Sequence, residues 1–114
     1  MAPAIYKGDF HLGRIEGDGI MKLKNGDIIL GAFRNGVPVR KIQYKYANGD
    51  QYIGQLARNG FRDGNGSLEN KIGKYEGPFK NNLKQGKGIF SGPNYQLRGE
   101  FIDDDFHSGE FTDK

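Results

Sequence analysis

A glycine pattern that recurs every 22 or 23 residues is the feature that most constrains how this chain can fold. At five successive places a glycine has a large apolar or aromatic residue two positions before it and another two positions after it. The five repeats start at Tyr6, Ile29, Tyr52, Tyr75 and Leu97. A regular spacing of this length is typical of chains built from stacked units, each of which buries its apolar face against its neighbours.

Each repeat predicts a β-hairpin. In residues 6–10 large residues alternate with polar ones, which is the period of a half-buried strand. In the following segment Met21 and Leu23 share one face, while Ile20 and Lys22 share the other. Gly8 lies on the face of Tyr6 and Phe10, so we expect its missing side chain to leave room for an aromatic ring from a neighbouring strand.

Asn-Gly pairs predict the turns, because both residues tolerate the positive φ that a type I′ hairpin turn requires. The pairs are Asn25–Gly26, Asn35–Gly36, Asn48–Gly49, Asn59–Gly60 and Asn65–Gly66. The first and third pairs occupy the same point in their repeats, which predicts turns between successive units.

The predicted fold is all-β: a single domain over residues 1–114 that forms an antiparallel ribbon of about five hairpins in one sheet. Ten strands spaced about 4.8 Å apart make a ribbon on the order of 45 Å long, and we expect no helix. The residues predicted to form the packed face are Tyr6, Phe10, Met21, Leu23, Phe33, Tyr44, Tyr46, Tyr52, Leu56, Leu68, Tyr75, Phe79, Leu97 and Phe101.

The charge is unevenly distributed along the chain. Sixteen basic and eight acidic side chains give residues 1–98 a net charge of +8, whereas one basic and six acidic side chains give residues 99–114 a net charge of −5. A positive ribbon suits an acidic protein partner or anionic lipid headgroups. Ends of opposite sign, together with unpaired edge strands, favour head-to-tail self-association. The basic residues predicted to bind a partner or anionic lipid are Arg34, Arg40, Lys41, Lys45, Lys71, Lys74, Lys80, Lys84 and Lys87.

Several kinds of chemistry are excluded. The absence of cysteine rules out disulfides, thiolate zinc sites and iron–sulfur clusters. No apolar run approaches 18 residues, and the N-terminus lacks the pattern of a secretory signal, so we expect neither a membrane span nor secretion. His11 and His107 belong to the first and last repeats, on the order of 40 Å apart, so they cannot share a metal or a catalytic site.

Three other motifs have structural interpretations that we prefer. Asp103–Asp105 lacks the spacing of a calcium loop and predicts a solvated acidic turn. The glycines at 64–66 and 86–88 precede a predicted strand and not the helix that a phosphate loop needs. The aromatic residues belong to the packed face of the repeats, so we expect no nucleic-acid partner. We therefore expect a protein that is not an enzyme and that holds no cofactor or metal.

Residues 6–19 form a longer motif, in which Tyr-x-Gly-x-aromatic is followed by the glycine series Gly-x-x-x-Gly-x-Gly at residues 13–19. Residues 75–88 match it with Asn82 in place of one glycine. In these residues the chain resembles the MORN repeat (membrane occupation and recognition nexus), and the resemblance covers roughly residues 5–112.

The chain departs from that pattern at defined places. Phenylalanine or leucine replaces the tryptophan that the family prefers at the second aromatic position. Repeat 2 has Arg40 and Ile42 where repeat 1 has Gly17 and Gly19, which we interpret either as drift or as a dedicated partner contact, and the ribbon is expected to widen or bulge there. Repeat 5 has Asp104, Ser108 and Glu110 where glycines are expected.

The resemblance implies a function in binding rather than catalysis. Similar repeats accompany catalytic domains in plant phosphatidylinositol phosphate kinases and in a lysine methyltransferase family, and they occur in junctophilins and in ciliary and cytoskeletal proteins. The implied function is a cytoplasmic, non-catalytic scaffold or adaptor within a larger assembly, with a ciliary or cytoskeletal setting favoured. The alternative is a peripheral membrane module that binds acidic phospholipids through its basic face.

Overall fold

The protein is an all-β molecule in the computed structural model, which describes residues 3–113; residues 1, 2 and 114 of the predicted domain lie outside the described residues. The described chain contains eleven strands and no helix. The strands are β1 (Pro3–His11), β2 (Arg14–Leu23), β3 (Ile28–Arg34), β4 (Val37–Lys45), β5 (Gln51–Leu56), β6 (Arg62–Glu69), β7 (Lys74–Lys80), β8 (Leu83–Lys84), β9 (Gly86–Ser91), β10 (Tyr95–Ile102) and β11 (Asp105–Asp113).

All strands belong to one open antiparallel sheet in which each strand lies beside its neighbour in sequence. The short β8 pairs with β7 and is separated from β9 by Gln85. Repeats 1 to 5 are the hairpins β1–β2, β3–β4, β5–β6, β7–β9 and β10–β11. The molecule measures 52 × 22 × 18 Å, so it is a ribbon somewhat longer than the spacing predicted. The predicted hairpin repeat fold is confirmed.

The cross-strand register is the same from one hairpin to the next. One row of paired residues crosses the whole sheet on the packed side: Tyr6, Met21, Ile29, Tyr44, Tyr52, Leu68, Tyr75, Phe90, Leu97 and Phe111. A row of glycines runs beside it, with pairs such as Gly8–Gly19, Gly66–Gly77 and Gly88–Gly99. A one-residue slip would turn every apolar side chain to the other face, so this pattern specifies the register strongly.

In repeats 1, 3 and 4 a tyrosine ring occupies the space above the glycine pair of the hairpin. The Tyr75 hydroxyl donates a hydrogen bond to the Pro78 carbonyl oxygen at 2.9 Å, and Tyr52 and Tyr6 make the corresponding bond to the carbonyl three residues on. A Cβ atom on Gly88 would lie 2.6 Å from the Tyr75 ring. The glycine is thus needed for space, as predicted, although the ring above Gly8 comes from its own strand.

Repeat 2 solves the same packing problem with different residues. Ile29 stands in place of the tyrosine, and Ile42, which is 2% exposed, stands in place of the second glycine and lies over Gly31. The ladder has a register shift between Leu30 and Ala32, but repeats 1, 3 and 5 have one at the corresponding place, so the bulge belongs to the repeat itself. The side chain of Ile42 fills the space that is left because Ile29 is smaller than the tyrosine of repeats 1, 3 and 4.

The other expected departures also have local explanations. Arg40 adopts a φ of 64°, the left-handed conformation that Gly17 takes with a φ of 87°. In repeat 5 the glycine is not missing, because Gly109 pairs with Gly99 and occupies the glycine row one residue earlier than expected.

The packed side holds most of the residues predicted for it. Nine of the fourteen are buried, and Tyr6, Tyr46, Leu56 and Leu97 are partly buried against them. Phe10 is the exception: it is 60% exposed because β1 is an edge strand of the sheet that the described residues form, so that prediction was wrong. The prediction also missed Ile29 and Ile42, which are fully enclosed in repeat 2.

The turns fall into two kinds. Both residues have positive φ in Asn35–Gly36 and at the corresponding Leu12–Gly13, Asn81–Asn82 and Asp103–Asp104, as a type I′ turn requires. Asn25–Gly26, Asn48–Gly49 and Asn59–Gly60 lie instead in loops of four or five residues between strands, where the asparagine side-chain oxygen accepts a hydrogen bond from the N–H two residues on. Asn65–Gly66 lies within β6, so the turn predicted there was wrong: Gly66 belongs to the glycine row beneath Tyr52.

Candidate interaction surfaces

The nine basic residues predicted to bind a partner do not form one surface. The register places Lys45, Lys74 and Lys87 on the outer face, which is the face of the sheet opposite the packed row. The others lie at strand ends, in the β6–β7 loop, in the bulge of repeat 2, or in β8: Arg34, Lys80, Lys71, Arg40, Lys41 and Lys84. Their role in binding remains a prediction.

Lys84 is already engaged within the chain. Its Nζ lies 3.2 Å from Asp104 Oδ1 and 5.8 Å from the centroid of the Tyr75 ring. Burial alone would raise the pKa of Asp104, but the hydrogen bonds and positive charge of Lys84 lower it overall. This pair ties repeat 4 to the turn of repeat 5, so Lys84 is the least available of the nine.

A second cation holds the packed side together between repeats 3 and 4. The Arg62 guanidinium lies over the rings of Tyr46 and Phe79, at 5.7 and 5.3 Å from their centroids. It donates hydrogen bonds of 2.8 Å to the Tyr46 hydroxyl and to the Asn82 carbonyl. Since both ends of the guanidinium are used internally, Arg62 is a structural residue.

The outer face of β1 to β5 carries apolar side chains that the described chain leaves exposed or only partly buried. We call this the outer apolar patch: Ile5, Ile20, Ile28, Leu30 and Ile53. Ile5, Ile20 and Ile53 are 54%, 46% and 41% exposed. Ile20 pairs with Leu30, and Gln43 of β4 pairs with both Leu30 and Ile53, so the patch has members on β1, β2, β3 and β5 with a polar side chain between the last two.

Lysines alternate with these isoleucines. Lys7 pairs with Ile20, Lys22 pairs with both Ile5 and Ile28, and Lys45 pairs with Ile28. Lys45 is one of the nine basic residues predicted from the sequence to bind a partner, whereas Lys7 and Lys22 are not among them. The sequence does indicate this patch, because isoleucine occupies positions 20, 28 and 53, where the alternation of an amphipathic strand would place polar residues.

The outer face of the C-terminal half has a different character. Opposite charges face each other there in register, as in Glu69–Lys74, Lys87–Glu100 and Arg98–Glu110. These pairs reduce the net positive charge of that half, so the basic character of the outer face is concentrated in β1 to β4.

The candidate metal-ligating side chains of the described residues do not come together. His11 and His107 lie on the two opposite edge strands, β1 and β11, and cannot meet. Within residues 3–113 no group of three or more histidine, aspartate or glutamate side chains could hold a metal ion. That part of the chain also contains no helix suited to crossing a membrane.

Comparison with known families identifies the repeat. The sequence profile of the MORN repeat matches residues 6–28, 52–73 and 75–96, which together are 67 of the 114 residues. The chain therefore belongs to the MORN repeat family. Repeats 2 and 5 lie largely outside the matched segments, although both form hairpins in the common register. A comparison with curated proteins finds no match.

Membership in this family defines the function only coarsely. The MORN repeat is a non-catalytic module, and its repeats are generally associated with protein and membrane interactions.

Proposed function

We propose that this protein is a non-catalytic scaffold or adaptor that binds a protein partner through the outer apolar patch, as a subunit of a larger assembly. The observation that carries the proposal is the exposure of Ile5, Ile20 and Ile53 on one continuous sheet face. Contiguous exposed apolar patches on soluble proteins commonly mark interaction sites.

The lysines in the patch specify the chemistry of the partner. A protein segment that alternates apolar side chains with carboxylates would bury the isoleucines and place acidic groups beside Lys7, Lys22 and Lys45. Most of the binding free energy would come from the apolar contacts, at about 25 cal/mol per Å² of buried apolar surface. The exposed ion pairs would contribute about 1 kcal/mol or less each and would mainly set orientation.

The test compares two variants in an extract of the native organism. Ile20→Asp disrupts the outer apolar patch, and Ile72→Asp is its matched control, since Ile72 is 65% exposed in the β6–β7 loop outside the patch. Circular dichroism checks that both fold. We expect quantitative mass spectrometry to find a protein retained by wild type and Ile72→Asp but lost with Ile20→Asp. The purified candidate must then bind directly with the same variant pattern. Equal retention by both variants would refute the patch as the binding surface.

A peripheral membrane function is the second candidate, and the lysines within the outer apolar patch favour it. Each basic group near an anionic membrane surface contributes about 1 kcal/mol to binding. The test is flotation with phosphatidylcholine vesicles, with and without phosphatidylserine, at low and physiological salt. Binding that requires phosphatidylserine at physiological salt should be lost in the Lys7→Gln/Lys22→Gln/Lys45→Gln variant but kept in Lys71→Gln/Lys74→Gln/Lys80→Gln. Binding only at low salt would leave the protein partner as the better explanation.

The proposed setting is cytoplasmic, in a ciliary or cytoskeletal assembly. It is supported by the family in which the chain is found. A fluorescently tagged chain in ciliated cells should concentrate along the axoneme, at the basal body or on cytoskeletal fibres. A uniform distribution after detergent extraction of soluble protein would contradict this setting.

A further inference from the structure

The sheet ends in two long edge strands. β1 and β11 are both nine residues long, and each pairs with a single strand within the described chain. An edge strand presents unpaired backbone N–H and C=O groups to any strand that can pair with them. The question is whether one edge fits the other.

At every junction between hairpins, the residues of the glycine row and those of the packed row pair in the same register. At the junction of repeats 4 and 5, Gly88 pairs with Gly99 while Phe90 pairs with Leu97. The junction of repeats 3 and 4 has the same arrangement, with Gly66 opposite Gly77 and Leu68 opposite Tyr75. The last strand of each hairpin therefore has the residue pattern that pairs with the first strand of another.

We infer that β11 of one molecule pairs antiparallel with β1 of a second copy in this register, so that the sheet continues from chain to chain. Continuing the rows places Gly109 opposite Gly8 of the second copy and Phe111 opposite its Tyr6. On the outer face it places Glu110 opposite Lys7 of the second copy.

The charges at the two edges are complementary. Residues 97–113 contain one basic and six acidic side chains, whereas residues 5–24 contain four basic and three acidic ones. The pairing of Glu110 with Lys7 of the second copy also continues the row Arg98–Glu110. Opposite charges directly across a strand pair stabilise it, and like charges destabilise it.

The packed side supports the same register. In three repeats the tyrosine ring packs edge-to-face on the phenylalanine of the next repeat: Tyr6–Phe33, Tyr52–Phe79 and Tyr75–Phe101, at centroid distances of 5.4, 5.4 and 5.0 Å. Phe10 occupies this phenylalanine position in repeat 1, where no other repeat of the described chain packs on it, and it is 60% exposed. Leu97 occupies the tyrosine position in repeat 5, so Phe10 of the second copy would pack on Leu97.

A backbone contact repeats with the same step. The second turn residue of one repeat donates its N–H to a carbonyl of the preceding repeat: Gly36 to Ile15, Asn82 to Arg62 and Asp104 to Lys84, at 3.0–3.1 Å. The corresponding carbonyl in repeat 5 is that of Phe106, which pairs with Phe101 as Ile15 pairs with Phe10. The corresponding donor is Gly13 of the second copy.

This contact joins two different surfaces, so it does not close on itself as a two-fold dimer does. Such head-to-tail contacts generate open filaments when the rotation between copies does not close a ring. Weight-average mass should therefore rise continuously with concentration. The contact lies at the ends of the ribbon. It uses Lys7, which also borders the outer apolar patch, but it needs no partner bound to that patch.

The test is a charge-reversal series followed by sedimentation velocity over a range of protein concentrations at low salt. We expect Lys7→Glu or Glu110→Lys alone to weaken self-association by about threefold to tenfold, because like charges then meet across the contact. The double variant Lys7→Glu/Glu110→Lys should restore it, as should an equimolar mixture of the two single variants. The swap Lys87→Glu/Glu100→Lys, an internal pair on the same face, is the matched control and should behave like wild type.

A second variant tests the packed side of the contact. Phe10→Asp should weaken self-association by more than tenfold while leaving the circular dichroism of the sheet unchanged, since Phe10 is already exposed. The inference is overturned if wild type stays monomeric at every concentration, if its mass stops at that of a dimer, or if the charge swap fails to restore what each single reversal removes.

Discussion

A tyrosine and two glycines form the smallest unit of this architecture. In repeats 1, 3 and 4 the ring lies where a Cβ of either glycine would be, and its hydroxyl is bonded to a carbonyl three residues on. Repeat 2 replaces the set with Ile29 and Ile42. In repeat 2 the side chain at the tyrosine position is smaller and the side chain at the second glycine position is larger. Because the volume of one side chain limits the volume of the other, the residues at these two positions should be energetically coupled.

That coupling is testable in repeat 4 by copying the solution of repeat 2. Gly88→Ile should destabilise the protein strongly, because overpacking alone costs about 1–3 kcal/mol. Tyr75→Ile/Gly88→Ile should lose less stability than the sum of the single changes, with a coupling of about 1–3 kcal/mol. Urea unfolding of the four proteins measures it. Strict additivity would show that the two positions pack independently.

The buried tyrosines also predict a response to alkaline pH. Burial raises the pKa of Tyr52 and of Tyr75 to about 12, from an ordinary value of 10. Between these values the unfolded chain releases tyrosine protons that the folded chain keeps, so the free energy of unfolding should fall as pH rises from 10 to 12. Urea midpoints measured against pH should fall less steeply in Tyr52→Phe/Tyr75→Phe. Parallel curves for the two proteins would contradict the assignment.

At the scale of elements, the two kinds of turn show which features of the fold the sequence could predict and which it could not. Alternation and spacing were sufficient to predict the hairpins, the single sheet and most of the packed side. The Asn-Gly rule identified Asn35–Gly36 but could not find Leu12–Gly13, whose left-handed backbone is imposed by the register of the flanking strands. It also placed a turn at Asn65–Gly66, because local turn chemistry cannot reveal that Gly66 must lie beneath Tyr52.

The interaction surface was less predictable than the fold. Counting lysines along the chain identified Lys45, but Lys84 proved to be paired with Asp104, and the outer apolar patch required knowledge of which residues lie opposite one another. Phe10 has the pattern of a core residue and is exposed only because its strand lies at the edge.

The turn at Leu12–Gly13 gives a prediction of its own. Leu12 is 89% exposed and has a φ of 51°, a conformation that asparagine adopts at less cost than leucine. Leu12→Asn should therefore raise the free energy of unfolding by about 0.5–1 kcal/mol. Leu12→Val should lower it, because β-branched residues disfavour positive φ. Thermal and urea unfolding measure both, and a stabilising effect of valine would contradict the explanation.

A buried carboxylate links two loops that follow each other in the ribbon. Asp27, 7% exposed, accepts hydrogen bonds from the Tyr44 hydroxyl at 2.6 Å and from the Ala47 N–H at 2.7 Å. Asp27→Ala should cost about 2–4 kcal/mol, because it leaves both donors unpaired. Asp50→Ala is the control at the same position of the next repeat. Equal losses of unfolding free energy in the two variants would refute a special role for Asp27.

At the scale of the whole molecule, each hairpin is supported only by its neighbours. The central hairpin is packed on both sides, whereas β1 and β11 have one neighbour each within the described chain. Amide hydrogen exchange in dilute protein should therefore be slowest in β5 to β7 and fastest in β1 and β11. Increasing the protein concentration should slow exchange in the two edge strands first. Uniform protection across all strands would indicate a single cooperative unit instead.

The constant register has a geometric consequence for anything attached to this ribbon. Two further strands of the same register would add about 10 Å to its length, since neighbouring strands lie about 4.8 Å apart. They would also turn the far end by about 40–50°, because each strand is rotated by about 20–25° from the last. The number of repeats therefore sets both the length of the ribbon and the direction in which the surface at its far end faces, so the length cannot change without rotating that surface.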